Sequence, residues 1–262
     1  MPARYVLGVG NPDGVDGAEA WARSHASVAD VPLVRVRVRR TDAVAAHHHH
    51  AADYTPAHDL VYLDGPVPEA LARFVNADDI LVIGTGKTGF IRSRVFGTLS
   101  LQIAAEVACS VAVIPEVDLR FRTGVVAGVK DDDLLPAIIR ASAEEARARK
   151  EPLQLIHSSF AGLVPAPVET RGPILDRAAS AAIINGADLR VRTHGTERAP
   201  AEALLDASRN ASLLIIGAGH PRGAGHALGS VTHDVLVNIN APVLIVRPSP
   251  EDHAELGGQR TS

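Results

Sequence analysis

A glycine-rich phrase bounded by short apolar runs occurs twice in this chain, and the repetition narrows what it can fold into. The later copy runs from Gly217-Ala218-Gly219 to Gly229-Ser230. It follows the apolar residues 213–216 and leads through 231–240 into Pro242-Val243-Leu244-Ile245-Val246. The earlier copy, Gly84-Thr85-Gly86-Lys87-Thr88-Gly89 with Gly97-Thr98 beyond it, follows 80–83 and leads through 99–107 into Val111-Ala112-Val113-Ile114-Pro115. Each copy reads strand, glycine loop, helix opening at Gly-Thr or Gly-Ser, strand. Such a loop presents backbone N–H groups and the positive end of a helix to an anion, typically a phosphate. Two copies predict two domains of one type within 262 residues.

Composition agrees with a packed α/β protein. Hydrophobic residues make up 46% and charged residues 21%, which excludes a disordered chain. Aromatic residues are only 3%, so the core is built from Val, Leu, Ile and Ala, as suits parallel strands buried under helices. A formal net charge of -4 without a long basic run argues against a nucleic-acid partner. Cys109 is the only cysteine and lies in an apolar stretch, so it is expected to be buried in a chain kept in a reducing compartment. Residues 1–4 enter a strand without a leader pattern, and no apolar stretch is long enough to cross a bilayer. The expectation is a cytoplasmic protein with no membrane partner.

The second half reads as strand 125–129, helix 134–149, strand 153–157, a loop over 161–173, helix 174–185 with Gly186 as its C-cap, strand 188–193, helix 200–208 and strand 213–216. Asp131-Asp132-Asp133 offers N-cap groups to the first of these helices. Charges in 188–193 place that strand near a sheet edge. The first half repeats the order as strand 5–9, helix 18–26, strand 31–38, strand 59–63, helix 68–75 and strand 80–83. It is shorter between its second and third strands, where 41–56 replaces a loop and a helix. Alternating strands and helices predict a doubly wound parallel sheet. The expected organisation is a first domain over 1–120, a second over 121–250 and a disordered tail over 251–262.

Several phrases resemble the universal stress protein family. Pro200-Ala201-Glu202-Ala203-Leu204, the strand 213–216, and Gly229-Ser230-Val231 ahead of Ala241-Pro242-Val243-Leu244-Ile245-Val246 match its usual wording, and Pro68-Glu69-Ala70-Leu71 with Gly97-Thr98 echoes it. The resemblance implies two Rossmann-like α/β domains in tandem, each a five-stranded parallel sheet flanked by helices, the first shortened. It also implies intramolecular domain pairing, 111–114 meeting 243–246, and leaves a homodimer open. Many members of the family bind ATP through Gly, two residues, Gly, nine residues, Gly, then Ser or Thr. Carried over, the cofactor-binding set is Gly128, Val129 and Lys130 at the end of the first strand, Ser158 at the end of the second, and Gly217, Gly219, Gly229 and Ser230. The chain departs from the motif at three places. Only Ala218 separates Gly217 from Gly219; Lys130 stands at the family's first-strand aspartate, where the first half has Gly10; and Lys87 replaces the middle glycine of the first half. The expected ligand is ATP or ADP, with Mg²⁺ beside its phosphates.

Other motifs fall short. A P-loop would need a glycine at Leu81, and a dinucleotide fingerprint would need one at Asp13. His47 to His50, with His58, has no spacing that prearranges a tetrahedron, which suits adventitious metal binding better than a built site. His220, Arg222 and His226 could add charge to a phosphate site. There is no Gly-x-Ser-x-Gly elbow and no His-Glu-x-x-His, so no catalytic residue is assigned. The expected role is a stress-response protein that senses ATP or ADP through its second glycine loop. The alternatives are an interaction module without a nucleotide, and a slow ATPase.

Overall fold

The structure, a computed structural model, describes residues 2–10, 17–39, 60–85, 98–160, 171–184, 188–219 and 228–248. The first half consists of β1 (Tyr5–Gly8), α1 (Gly17–Ala29), β2 (Leu33–Arg39), β3 (Leu60–Asp64), α2 (Val67–Phe74), β4 (Ile80–Gly84), α3 (Thr98–Glu106) and β5 (Ser110–Ile114). The second consists of β6 (Val125–Gly128), α4 (Leu135–Arg149), β7 (Leu153–Ser158), α5 (Arg171–Ile184), β8 (Val191–Thr196), α6 (Pro200–Ser208), β9 (Leu213–Gly217), α7 (Ser230–Val237) and β10 (Val243–Val246).

Among the described residues the strands form one ten-stranded sheet in the order β3-β2-β1-β4-β5-β10-β9-β6-β7-β8. Each half contributes five parallel strands in the same doubly wound order, one the mirror of the other along the sheet. The join is the one antiparallel pairing: Val113 faces Val243, Ala112 faces Leu244 and Val111 faces Ile245. The repeat extends to single hydrogen bonds. Val9 N–H donates to Val36 O at 2.8 Å, and Val129 N–H donates to Ile156 O at 2.8 Å. Thr85 N–H reaches Ile114 O at 3.2 Å, and Ala218 N–H reaches Val246 O at 3.0 Å. Asp30 after α1 and Lys150 after α4 both adopt left-handed backbone, at φ 52° and 57°.

The predicted aliphatic core exists on both faces of the sheet. One layer packs Leu7, Val82, Leu155 and Ile215 under α1, α4 and α5; the other packs Val6, Leu81 and Ile216 under α2, α3, α6 and α7, with Leu236 of α7 buried against them. Each such side chain removed from water contributes on the order of 1.5–3 kcal/mol. In α4 the buried positions Leu135, Ile138, Ile139, Ser142 and Ala146 recur every three or four residues, which gives the helix one face for the sheet. Cys109 is buried, as expected.

Some boundaries differ from those read in the sequence. The helix expected at 174 begins at Arg171, because Gly172-Pro173 fits a first turn, where the missing proline N–H is not needed. The edge strand is Val191–Thr196 rather than 188–193: its length follows β7, with Val191 opposite Leu153 and Thr196 opposite Ser158. The aspartates before α4 do not cap it. Its N-cap is Leu134, without a side-chain cap bond; Asp132 instead accepts from Leu134 N–H at 3.1 Å, and Asp131 pairs with Arg177. The segment 41–56, Gly186 and the tail 251–262 lie outside the described residues.

Candidate functional site

β6 and β9 are neighbours, but the chain leaves β6 towards β7 and leaves β9 towards β10. Beyond the carboxyl ends of strands at such a reversal, the helices diverge and a crevice opens. A cavity of about 650 Å³ lies there, within the size range of small-molecule sites. All eight residues of the carried-over set line it: Gly128, Val129, Lys130, Ser158, Gly217, Gly219, Gly229 and Ser230.

The glycines are needed for close approach. Gly219 has φ 84°, and a Cβ on it would fall 2.7 Å from Gly229 Cα and 2.9 Å from Gly229 N. Gly229 N–H donates to Ala218 O at 2.8 Å, which ties the start of the loop to its end. A Cβ on Gly217 would fall 2.9 Å from Leu134 Cδ1. The Thr232 hydroxyl then donates to Gly217 O at 2.7 Å, fastening the first turn of α7 to the tip of β9. Sequence reasoning missed Thr232, although a signal was present: Ser100, two residues after Thr98, donates to Gly84 O at 3.3 Å in the first half.

The N-cap of α7 is Gly229, with no side-chain cap bond, so Ser230 is the first helical residue rather than the cap. The first amides of a helix have no acceptor within it, and the helix dipole adds partial positive charge there. Ser230, Val231 and Thr232, which carry those amides in α7, line the cavity.

Charge at the cavity is mixed. Lys130 Nζ lies 3.7 Å from Asp132 Oδ2, and its side chain is largely exposed. Asp234 and His233 also line the cavity, with His233 Nδ1 3.4 Å from Asp234 Oδ1. Asp131 turns away to Arg177, so the three consecutive aspartates do not converge. Among the described residues no group of three or more His, Cys, Asp or Glu side chains is placed to hold a metal ion. Asp132 and Asp234 are the carboxylates that line the cavity.

The Ser158 hydroxyl donates to Arg198 O at 2.7 Å and accepts from Phe160 N–H at 3.2 Å, which holds the chain as it leaves β7. His157 lines the cavity with its ring buried and Nδ1 3.0 Å from Val129 O. Apolar walls come from Ile138, Ile156 and Leu204. Cys109 is remote from this chemistry: burial pushes its thiol up to about 12, which keeps it protonated and poorly nucleophilic. Gly86, Lys87, Gly97, His220, Arg222, His226, His47 to His50 and His58 lie outside the described residues. Among the described residues no helix is long and apolar enough to cross a membrane.

The model of the universal stress protein family matches residues 124–247. A universal stress protein of Mycobacterium tuberculosis is 30% identical over 141 residues, which are 47% of this chain and 47% of the relative. The match thus spans about half the length of the curated relatives. Among solved structures, a universal stress protein from Archaeoglobus fulgidus is 12% identical, with 95% of this chain and 98% of that chain covered at a TM-score of 0.63. A functionally unknown protein from Pseudomonas aeruginosa is 15% identical, with 98% of each chain covered and the same TM-score of 0.63. At those identities the structural likeness is one of fold, and it extends over nearly the whole chain.

Proposed function

We propose that this chain, whose residues 124–247 match the universal stress protein family, acts as a member of that family and that its second half holds an adenine nucleotide, ATP or ADP, in the cavity between β6 and β9. Occupancy rather than turnover is the signal, delivered in a stress response. The phosphates sit against the amides of Ser230, Val231 and Thr232, and the nucleoside extends past Gly128 and Val129 towards β7. The observation that carries this reading is the Gly219–Gly229 contact, which brings the start of α7 against the tip of β9 at the mouth of the cavity. Fixed amides at a helix start bind an anion without reorganising.

The working unit is residues 121–250, and residues 1–120 are a pairing partner joined through β5 and β10. For occupancy to signal, the nucleotide must bind one state of the protein more tightly than another, so ATP and ADP should differ in affinity. A thermal-shift titration of the full chain with Mg²⁺ and ATP or ADP tests this. Ligand at a hundred times its Kd should stabilise the fold by about 2.7 kcal/mol, and Gly229→Val should abolish the shift. No shift with either nucleotide overturns the proposal.

A further inference from the structure

His157 is 8% exposed, lines the cavity and lies on the face of β7 shared by Leu153 and Leu155. Its Nδ1 is 3.0 Å from the carbonyl oxygen of Val129, an atom that can only accept. Nδ1 therefore carries the proton, and Nε2 of the neutral ring is left as an acceptor. No described residue partners Nε2. The imidazole is thus held in one orientation, mostly out of water, on the strand two places across the sheet from β9.

We propose that His157 is a specificity-determining residue, whose Nε2 accepts a hydrogen bond from an amino group on the base of the bound nucleotide. The inference rests on the nucleotide reading of this cavity. Three features argue for a base amino group rather than another donor. β9, β6 and β7 are successive neighbours, so His157 lies about 10 Å across the sheet from the glycine loop at ordinary strand spacing, a separation of nucleotide dimensions. The walls between are apolar, from Ile138, Ile156 and Leu204, and suit a flat ring better than a sugar. The cationic side chain of Lys130, which lines the cavity, is largely exposed and paired with Asp132 rather than turned to the histidine. A ligand without the amino group leaves a desolvated acceptor unmatched, which weakens binding by roughly tenfold.

The test is calorimetric titration of the full chain with ADP and with purine riboside 5′-diphosphate, which lacks only the 6-amino group. The wild-type protein should bind the amino compound about tenfold more tightly. His157→Asn keeps a donor for Val129 O but has nothing at the Nε2 position, so it should lose the preference by weakening the amino compound alone. His157→Gln restores a polar atom near that position and should recover part of the preference. Equal wild-type affinities, or a preference unchanged in His157→Asn, overturn the role of His157 and leave the nucleotide site standing. Failure of both compounds to bind the wild-type protein overturns the site reading and this inference with it.

Discussion

Gly219 and Gly229 meet back to back, so closely that a Cβ on the first would lie 2.7 Å from Cα of the second. Both atoms belong to backbone, and neither can swing aside. Gly219→Ala should therefore destabilise the chain by about 1–3 kcal/mol, since it combines this clash with a φ of 84°, and it should abolish nucleotide binding. Gly10→Ala is the control: nothing lies within 4 Å of its added Cβ, and the effect should stay within about 0.5 kcal/mol. Urea denaturation of both variants measures the difference.

The Thr232 hydroxyl fastens α7 to Gly217 O, and its counterpart Ser100 fastens α3 to Gly84 O over a longer distance. Thr232→Val keeps the shape and removes the bond. It should cost about 1 kcal/mol and weaken nucleotide binding several-fold by loosening the first turn of α7. Ser100→Ala should leave nucleotide affinity unchanged, because it acts on the other half. Equal effects of the two variants on affinity would contradict the assignment of the site to the second half.

The fold was legible because the glycine phrase repeats between apolar runs of fixed length, and period alone tells strand from helix there. The meeting of 111–114 with 243–246 came from family resemblance, but its antiparallel direction is seen only in the structure, since two short aliphatic strands carry no sign of their mutual direction. Residues 188–193 misled because the extent of an edge strand depends on its neighbour: Val191 to Thr196 is the stretch that β7 can pair. Asp131 to Asp133 misled because any of the three could cap a helix, and tertiary partners decided otherwise, Arg177 for one and Leu134 N–H for another. At the site the glycines stood out, since few residues tolerate such contacts. His157 was legible as a strand-end residue facing the cleft, but its bond to Val129 O was not, and Thr232 was not legible at all, because these bonds go to backbone oxygens that every residue possesses.

The two halves also meet through side chains. His25 of α1 stacks on Trp21 at 3.5 Å and places Nε2 3.4 Å from Glu145 Oε2 and 2.6 Å from Arg149 Nη2, both on α4. Burial pushes the Glu145 carboxyl up, but the bond from His25 and the charge of Arg149 outweigh it and hold the acid below its ordinary 4.5. A depressed carboxylate contributes stability above its unfolded value and loses it as pH falls through the folded one. Glu145→Gln should thus be less stable than the wild type by about 1–3 kcal/mol at neutral pH, with the gap closing at pH values well below 4.5. Melting temperatures across an acid series would show it; a gap independent of pH would contradict it.

One sheet through both halves should unfold as one unit. Ile245, fully buried in β10 at the join, is a sensitive reporter: Ile245→Ala should cost about 2–5 kcal/mol and lower a single cooperative transition. Two separate transitions in the wild-type protein, with only one shifted by the variant, would show that the halves are energetically independent.

Nucleotide in the second-half cavity would hold a reactive group on its base within reach of the residues lining it. Photoaffinity labelling of the full chain with an azido-adenine nucleotide, followed by peptide mapping, tests it most directly. Labels should fall on peptides containing Val129 or His157 and be displaced by excess ATP. Displaceable labels confined to residues 1–120 would contradict the account.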